Sequence, residues 1–155
     1  MNLLNRFTLP AVAFSLALGS FGLAQADNVK IGNIEPMSGP SATLGQQGKA
    51  AREMAVEEIN AAGGIKSLGG AKLKLVVLDS GDTTEKAKNA AQRMVAQEPD
   101  LVAASGAYLS SFTLAVTEVT ERANLPVLTL SYSDLITDRG FKYVSIYGRR
   151  NRVDH

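Results

Sequence analysis

The stretch from Val29 to Gly64, VKIGNIEPMSGPSATLGQQGKAAREMAVEEINAAGG, constrains the fold more than any other part of the chain. The segment from Val29 to Ile34 reads as a buried strand. A loop rich in Gly, Pro and Ser follows, then a helical pattern over Gly45 to Ala62 that Gly63 and Gly64 bring to a stop. A strand that feeds a helix through a polar, glycine-bearing loop is the opening of a βαβ unit. In open α/β sheets small ligands bind at the carboxyl ends of such strands. Ala51, Met54, Ala55, Ile59 and Ala62 share one face of the helix, and that face is expected to turn inward.

The alternation continues downstream. Leu73 to Leu78 is the second strand, ending at Asp79. Asp82 reads as a helix N-cap, with Glu85 three residues on completing a capping box. That helix runs to about Gln97, with Ala87, Ala90, Ala91 and Met94 inward and Pro99 as its stop. Leu101 to Ala104 is a short buried strand and Gly106 to Ser111 a turn. Phe112, Ala115, Val116, Val119 and Ala123 mark the next helix. Pro126 separates it from the strand Val127 to Leu130, and a last strand is expected over Lys142 to Ile146. The order specifies an α/β fold, a doubly wound parallel sheet with helices on both faces.

The first residues read as a targeting segment. Arg6 is the only charge before Asp27, an apolar run spans Leu9 to Leu23, and Ala24-Gln25-Ala26 is a small-x-small cleavage pattern. The run is short and rich in small residues, which favours a cleavable signal peptide over residues 1–26 rather than a membrane anchor. Export to the periplasm is the expected outcome. Without Arg6 the 16 basic residues fall to 15, which equals the 15 acidic ones. A neutral balance calls for neither nucleic acid nor an anionic membrane as partner. The chain has no cysteine, and its single histidine is His155. A thiol nucleophile, a lipidated cysteine, a Ser-His-Asp triad and a histidine metal site are thereby disfavoured. No phosphate loop or paired-carboxylate site is present, so no cofactor is expected, and a small α/β enzyme is the weaker reading.

Two loops carry the candidate chemistry. The turn Ser105-Gly106-Ala107-Tyr108-Leu109-Ser110-Ser111 joins a strand to a helix start, where free N–H groups and the helix dipole suit a carboxylate. Ser110 and Ser111 add hydroxyls there; alternatively Ser110 is only an N-cap. The second loop is Ser131-Tyr132-Ser133-Asp134, whose hydroxyls and carbonyls can accept from an ammonium group. Tyr108 or Tyr132 can wall a side-chain pocket. The competing reading of this second loop is a polar segment that caps a helix beginning near Leu135.

Met37-Ser38-Gly39-Pro40, Gly45 and Ile59-Asn60-Ala61-Ala62-Gly63-Gly64-Ile65 together resemble the start of the periplasmic branched-chain amino-acid-binding proteins, the receptor subunits of ABC importers. Thr137-Asp138-Arg139-Gly140-Phe141 is similar to a later stretch of the same family. The resemblance implies the first lobe of a type I periplasmic binding protein over residues 27–146. It also implies a small amino-acid-like ligand and a membrane permease as partner. By position it gives Ser110 the ligand's carboxylate. Ser131, through its carbonyl, and Ser133, through its hydroxyl, receive the amino group. Leu44 stands where the family often has an aromatic residue, which opens the ligand range to aromatic acids, amides and ureas. The resemblance runs to about Val144. The ending, with residues 147–155 as an irregular tail, reads as the mark of a truncated or frameshifted receptor, and a weakly binding fragment is the alternative function.

Overall fold

The computed structural model describes residues 28–147. The proposed leader and most of the tail lie outside the described residues. Five strands alternate with helices: β1 (Val29–Glu35), α1 (Ala42–Ala61), β2 (Leu73–Asp79), α2 (Thr84–Gln97), β3 (Leu101–Gly106), α3 (Ser110–Arg122), β4 (Val127–Thr129), α4 (Leu135–Asp138) and β5 (Val144–Ile146). A 3-10 turn, Lys66–Leu68, precedes β2. The strands form one sheet in the order β2-β1-β3-β4-β5, and every pairing is parallel. The chain moves outward from β1 to β2 and then back across β1 to β3. That reversal is the topological switch point of a doubly wound sheet, and it opens a crevice at the ends of β1 and β3. The last strand begins two residues later than its sequence pattern suggested.

Alternation along β1 separates the two sheet faces. Ile34 joins the core formed by Ala87, Ala90, Ala91 and Met94 of α2 with Phe112 and Val116 of α3. All four α2 residues are 0% exposed, as their helical spacing predicts. Gly32 lies on the same side. A Cβ there would stand 2.5 Å from Met94 Sδ, so a side chain at this position would push α2 off the sheet. Burial of one such methionine contributes about 1.5–3 kcal/mol. Ile136 of α4 packs with Val144 and Ile146 of β5 in a second, smaller apolar cluster.

The other face overturns one expectation. Ala51, Met54, Ala55, Ile59 and Ala62 do not point inward. All are exposed, Met54 by 61% and Ile59 by 41%. α1 packs on β1 and β2, and polar contacts anchor its inner side. The Asn60 side chain accepts the Leu73 N–H (2.8 Å) and donates to the Leu73 carbonyl (2.9 Å). Arg52 pairs with Glu35 of β1 at 2.7 Å. Ala51 and Ala55 of the stripe border an open groove of about 700 Å³ with Arg52, Leu128, Leu130 and Tyr147. Among the described residues no helix is long and apolar enough to cross a membrane.

A second correction concerns α2. Its N-cap is Thr83, whose hydroxyl accepts the Lys86 N–H at 3.2 Å. Asp82 pairs instead with the Lys86 ammonium at 2.7 Å. A threonine one position later satisfies the same orphan amide, which leaves the aspartate to a surface ion pair.

Candidate functional site

β3 ends in a turn that only an unusual backbone can make. Gly106 has φ +113°, and a Cβ there would lie 2.1 Å from the Ile34 carbonyl oxygen. Ala107 follows at φ +54°, a left-handed value that costs a non-glycine residue about 1 kcal/mol or more. The turn is held from both sides. The Ala107 N–H donates to the Ile34 carbonyl at 2.5 Å. Beneath it, three hydroxyls converge on the turn's carbonyls. Thr129 donates to Gly106 O at 3.1 Å, Thr113 bonds Ala107 O, and Ser131 lies 3.1 Å and 3.2 Å from the carbonyls of Ala107 and Tyr108. Thr113 and Ser131 Oγ atoms are 2.6 Å apart. With its carbonyls engaged below, the turn leads directly into α3. The N-cap of that helix is Leu109, which supplies no side-chain cap. The first amides of α3 therefore have no carbonyl partner within the helix.

The two loops singled out in the sequence meet at this edge. Ser110 is the first residue of α3, half-buried, and is not the N-cap; Ser111 beside it is exposed. Tyr108 is 46% exposed and borders a crevice of about 290 Å³ with Glu35, Leu44, Gln47, Gly48, Arg52, Gly106 and Leu130. Ser131 is buried, and its hydroxyl belongs to the turn-locking cluster. Ser133 is half-buried and its carbonyl accepts the Ile136 N–H at 3.1 Å, opening α4. Tyr132 is 82% exposed and stands out into solvent rather than walling the crevice.

Four crevice and turn residues escaped the sequence reading. Thr113 and Thr129 look like ordinary core positions, since a hydroxyl on an apolar face carries no linear signal. Glu35 and Arg52 lie 17 positions apart, and only the packing of α1 on β1 joins them. Burial pushes the Glu35 carboxyl above its usual range, opposed by the Arg52 charge and the Tyr108 N–H. Nearby, Asp79 ties the two outer loops together by accepting the Met37 N–H (2.8 Å) and the Gly81 N–H (2.7 Å). Partial burial raises the cost of ionising Asp79, yet these bonds outweigh it and hold the carboxyl below its usual range. Among the described residues no group of acidic or histidine side chains can hold a metal ion.

Comparison with known proteins places this geometry. The family profile described as periplasmic binding protein matches residues 28–153, past the point where the residue-by-residue resemblance ends. Leu/Ile/Val-binding protein homolog 7 of Brucella melitensis is 38% identical over 135 residues, covering 86% of this chain and 33% of the relative. The isoleucine-bound structure of the branched-chain amino acid transporter substrate-binding protein LivJ from Streptococcus pneumoniae superposes with a TM-score of 0.70. Its identity is 30%, and the match covers 77% of this chain and 33% of that one. An ABC transporter solute-binding protein from R. palustris in complex with 4-hydroxybenzoate matches with a TM-score of 0.63 and 26% identity, over 77% and 31% of the two chains. The chain thus spans about a third of the length of the curated relatives it matches. It belongs to the periplasmic binding protein family.

Proposed function

We propose that this member of the periplasmic binding protein family supplies one wall of a ligand site in the substrate-binding component of an ABC importer. The ligand is a branched-chain amino acid or a related small carboxylate or amide. The observation that carries the reading is the uncapped start of α3 at the switch point of the sheet, two residues after Tyr108, which borders the crevice. Unpaired amides, the positive end of a helix and a hydroxyl together suit a carboxylate without any lysine or arginine. The amino group of an amino-acid ligand falls to the Ser131 carbonyl and the Ser133 hydroxyl. The relatives, by their names and titles, are binding proteins of transporters, which supports a role in binding rather than catalysis. The working place is the periplasm, reached through the leader over residues 1–26, with a membrane permease as partner.

NMR titration of the chain with L-leucine, L-isoleucine and 4-hydroxybenzoate tests the site. Amide shifts are expected over Tyr108 to Phe112. Ser110→Ala is expected to weaken binding by about 1.5–3 kcal/mol, the range for a hydrogen bond to a charged group. Unchanged affinity removes Ser110 from the site, and shifts confined to other elements remove the crevice.

A second reading concerns the chain on its own. Leu128 and Leu130 are 50% and 55% exposed on the open face of the sheet. A crevice open to solvent encloses less of a ligand than the 70–90% typical of small-molecule sites. The isolated chain is therefore a weak binder that tends to associate. Micromolar affinity in a clean monomer by light scattering would refute this.

A further inference from the structure

Arg52 does more than hold α1 to the sheet. Its Nε–H donates to Ser105 Oγ at 2.9 Å, and Nη1 serves both the Gly48 carbonyl at 2.9 Å and the Glu35 carboxylate at 2.7 Å. Those contacts fix the plane of the guanidinium from three directions. A Cβ on Gly48 would stand 3.0 Å from Nη1 and 3.3 Å from Glu35 Oε1, so the missing side chain leaves the pair its room. These contacts engage Nε and Nη1 of the guanidinium. The Arg52 side chain is 24% exposed and lines the crevice, whereas its partner carboxylate is 3% exposed.

We propose that Arg52 determines ligand specificity by presenting its two Nη2 N–H groups to a neutral acceptor at the far end of the ligand. The inference deepens the ligand-site reading above and rests on it. Glu35 already neutralises the guanidinium, so a second carboxylate on the ligand would meet a like charge beside its partner. A phenol hydroxyl or an amide carbonyl takes the same donors without that repulsion. Leu44, Leu130 and the Tyr108 ring border the remaining space and suit an apolar body between the two polar ends. A purely aliphatic tail would displace water from Nη2 and give nothing back. The ligand class is thus a small carboxylate with an apolar body and a neutral hydrogen-bonding tip.

Benzoate, 4-hydroxybenzoate and L-leucine are the probes, titrated by NMR into the full chain and into Arg52→Lys and Arg52→Gln. Lysine keeps a charge for Glu35 and lacks the planar fork, and circular dichroism melts report whether each variant folds. The native chain is expected to favour 4-hydroxybenzoate over benzoate by about tenfold, the weight of one hydrogen bond to a charged group. In either folded variant that ratio falls toward one. Equal affinity of the native chain for the two acids overturns the proposal, as does a ratio that survives both substitutions. A folded variant that loses both acids equally places the ligand's carboxylate on Arg52, which also overturns it. Binding of none of the three probes to the native chain overturns the ligand-site reading together with this one.

Discussion

The two faces of the sheet are built by different physics. On one, α2 and α3 press alanines and a methionine into the strands, and the closest contacts exclude water entirely. On the other lies α1, with its apolar stripe exposed and its inner side anchored by Asn60 and the Arg52–Glu35 pair. The first face is stabilised by area removed from water. The second depends on a few directional bonds, each with a modest net contribution. The Arg52–Glu35 pair also lines the crevice, so the less densely packed face is the one that holds the proposed ligand site.

Substitutions on the two faces sharpen or break that contrast. Met94→Ala is expected to destabilise the chain by about 2–5 kcal/mol, because it opens a cavity in a fully buried layer. A loss below about 1 kcal/mol in urea unfolding would mean that the α2 layer is less tightly packed than its burial indicates. Asn60→Ala comes next. It strands the N–H and carbonyl of Leu73, and a loss of about 1–3 kcal/mol is expected. A neutral result would show that α1 is held by something other than its polar clips.

Acid titration gives a smaller and signed effect. The Asp79 carboxyl is held below its usual range, so its contribution is present above the ordinary aspartate pKa of about 3.9 and is lost as pH falls through the lowered value. Asp79→Asn should flatten that part of the acid unfolding curve. Glu35 has the opposite sign. Its raised carboxyl favours the fold below the ordinary glutamate range and loses that contribution as pH rises through the raised value. Identical acid limbs for native protein and Asp79→Asn would remove Asp79 from the account. Met54→Ala completes the series with the smallest effect. On an exposed stripe it should change stability by no more than about 0.5 kcal/mol. A loss approaching that of Met94→Ala would show that the α1 stripe is covered in solution.

Much of the architecture was legible before the structure. The strand-helix alternation, the inward face of α2 and the role of Gly63 and Gly64 at the end of α1 all follow from local pattern. The backbone at those positions answers to neighbours three or four residues away. The α1 stripe misled for a physical reason. Periodicity says that one helix face is apolar, and it does not say which side the sheet lies on. The site divided in the same way. The serine turn could be found because a strand stop and a helix start sit next to each other in the sequence. Its brace could not, since Ser131, Thr113 and Thr129 meet only when β4 and α3 pack beside the end of β3.

By itself the sequence determined the parallel α/β order, the turn that ends β3 and the absence of thiol chemistry, because each depends on residues close together in the chain. The tertiary structure decided which face of α1 stays open, which hydroxyls lock the turn and how Glu35 and Arg52 come within 2.7 Å. Those outcomes depend on the sheet order β2-β1-β3-β4-β5, which brings distant strand ends to one edge. No local signal encodes the energy of that meeting, since it arises only when water has been excluded between elements far apart in the chain.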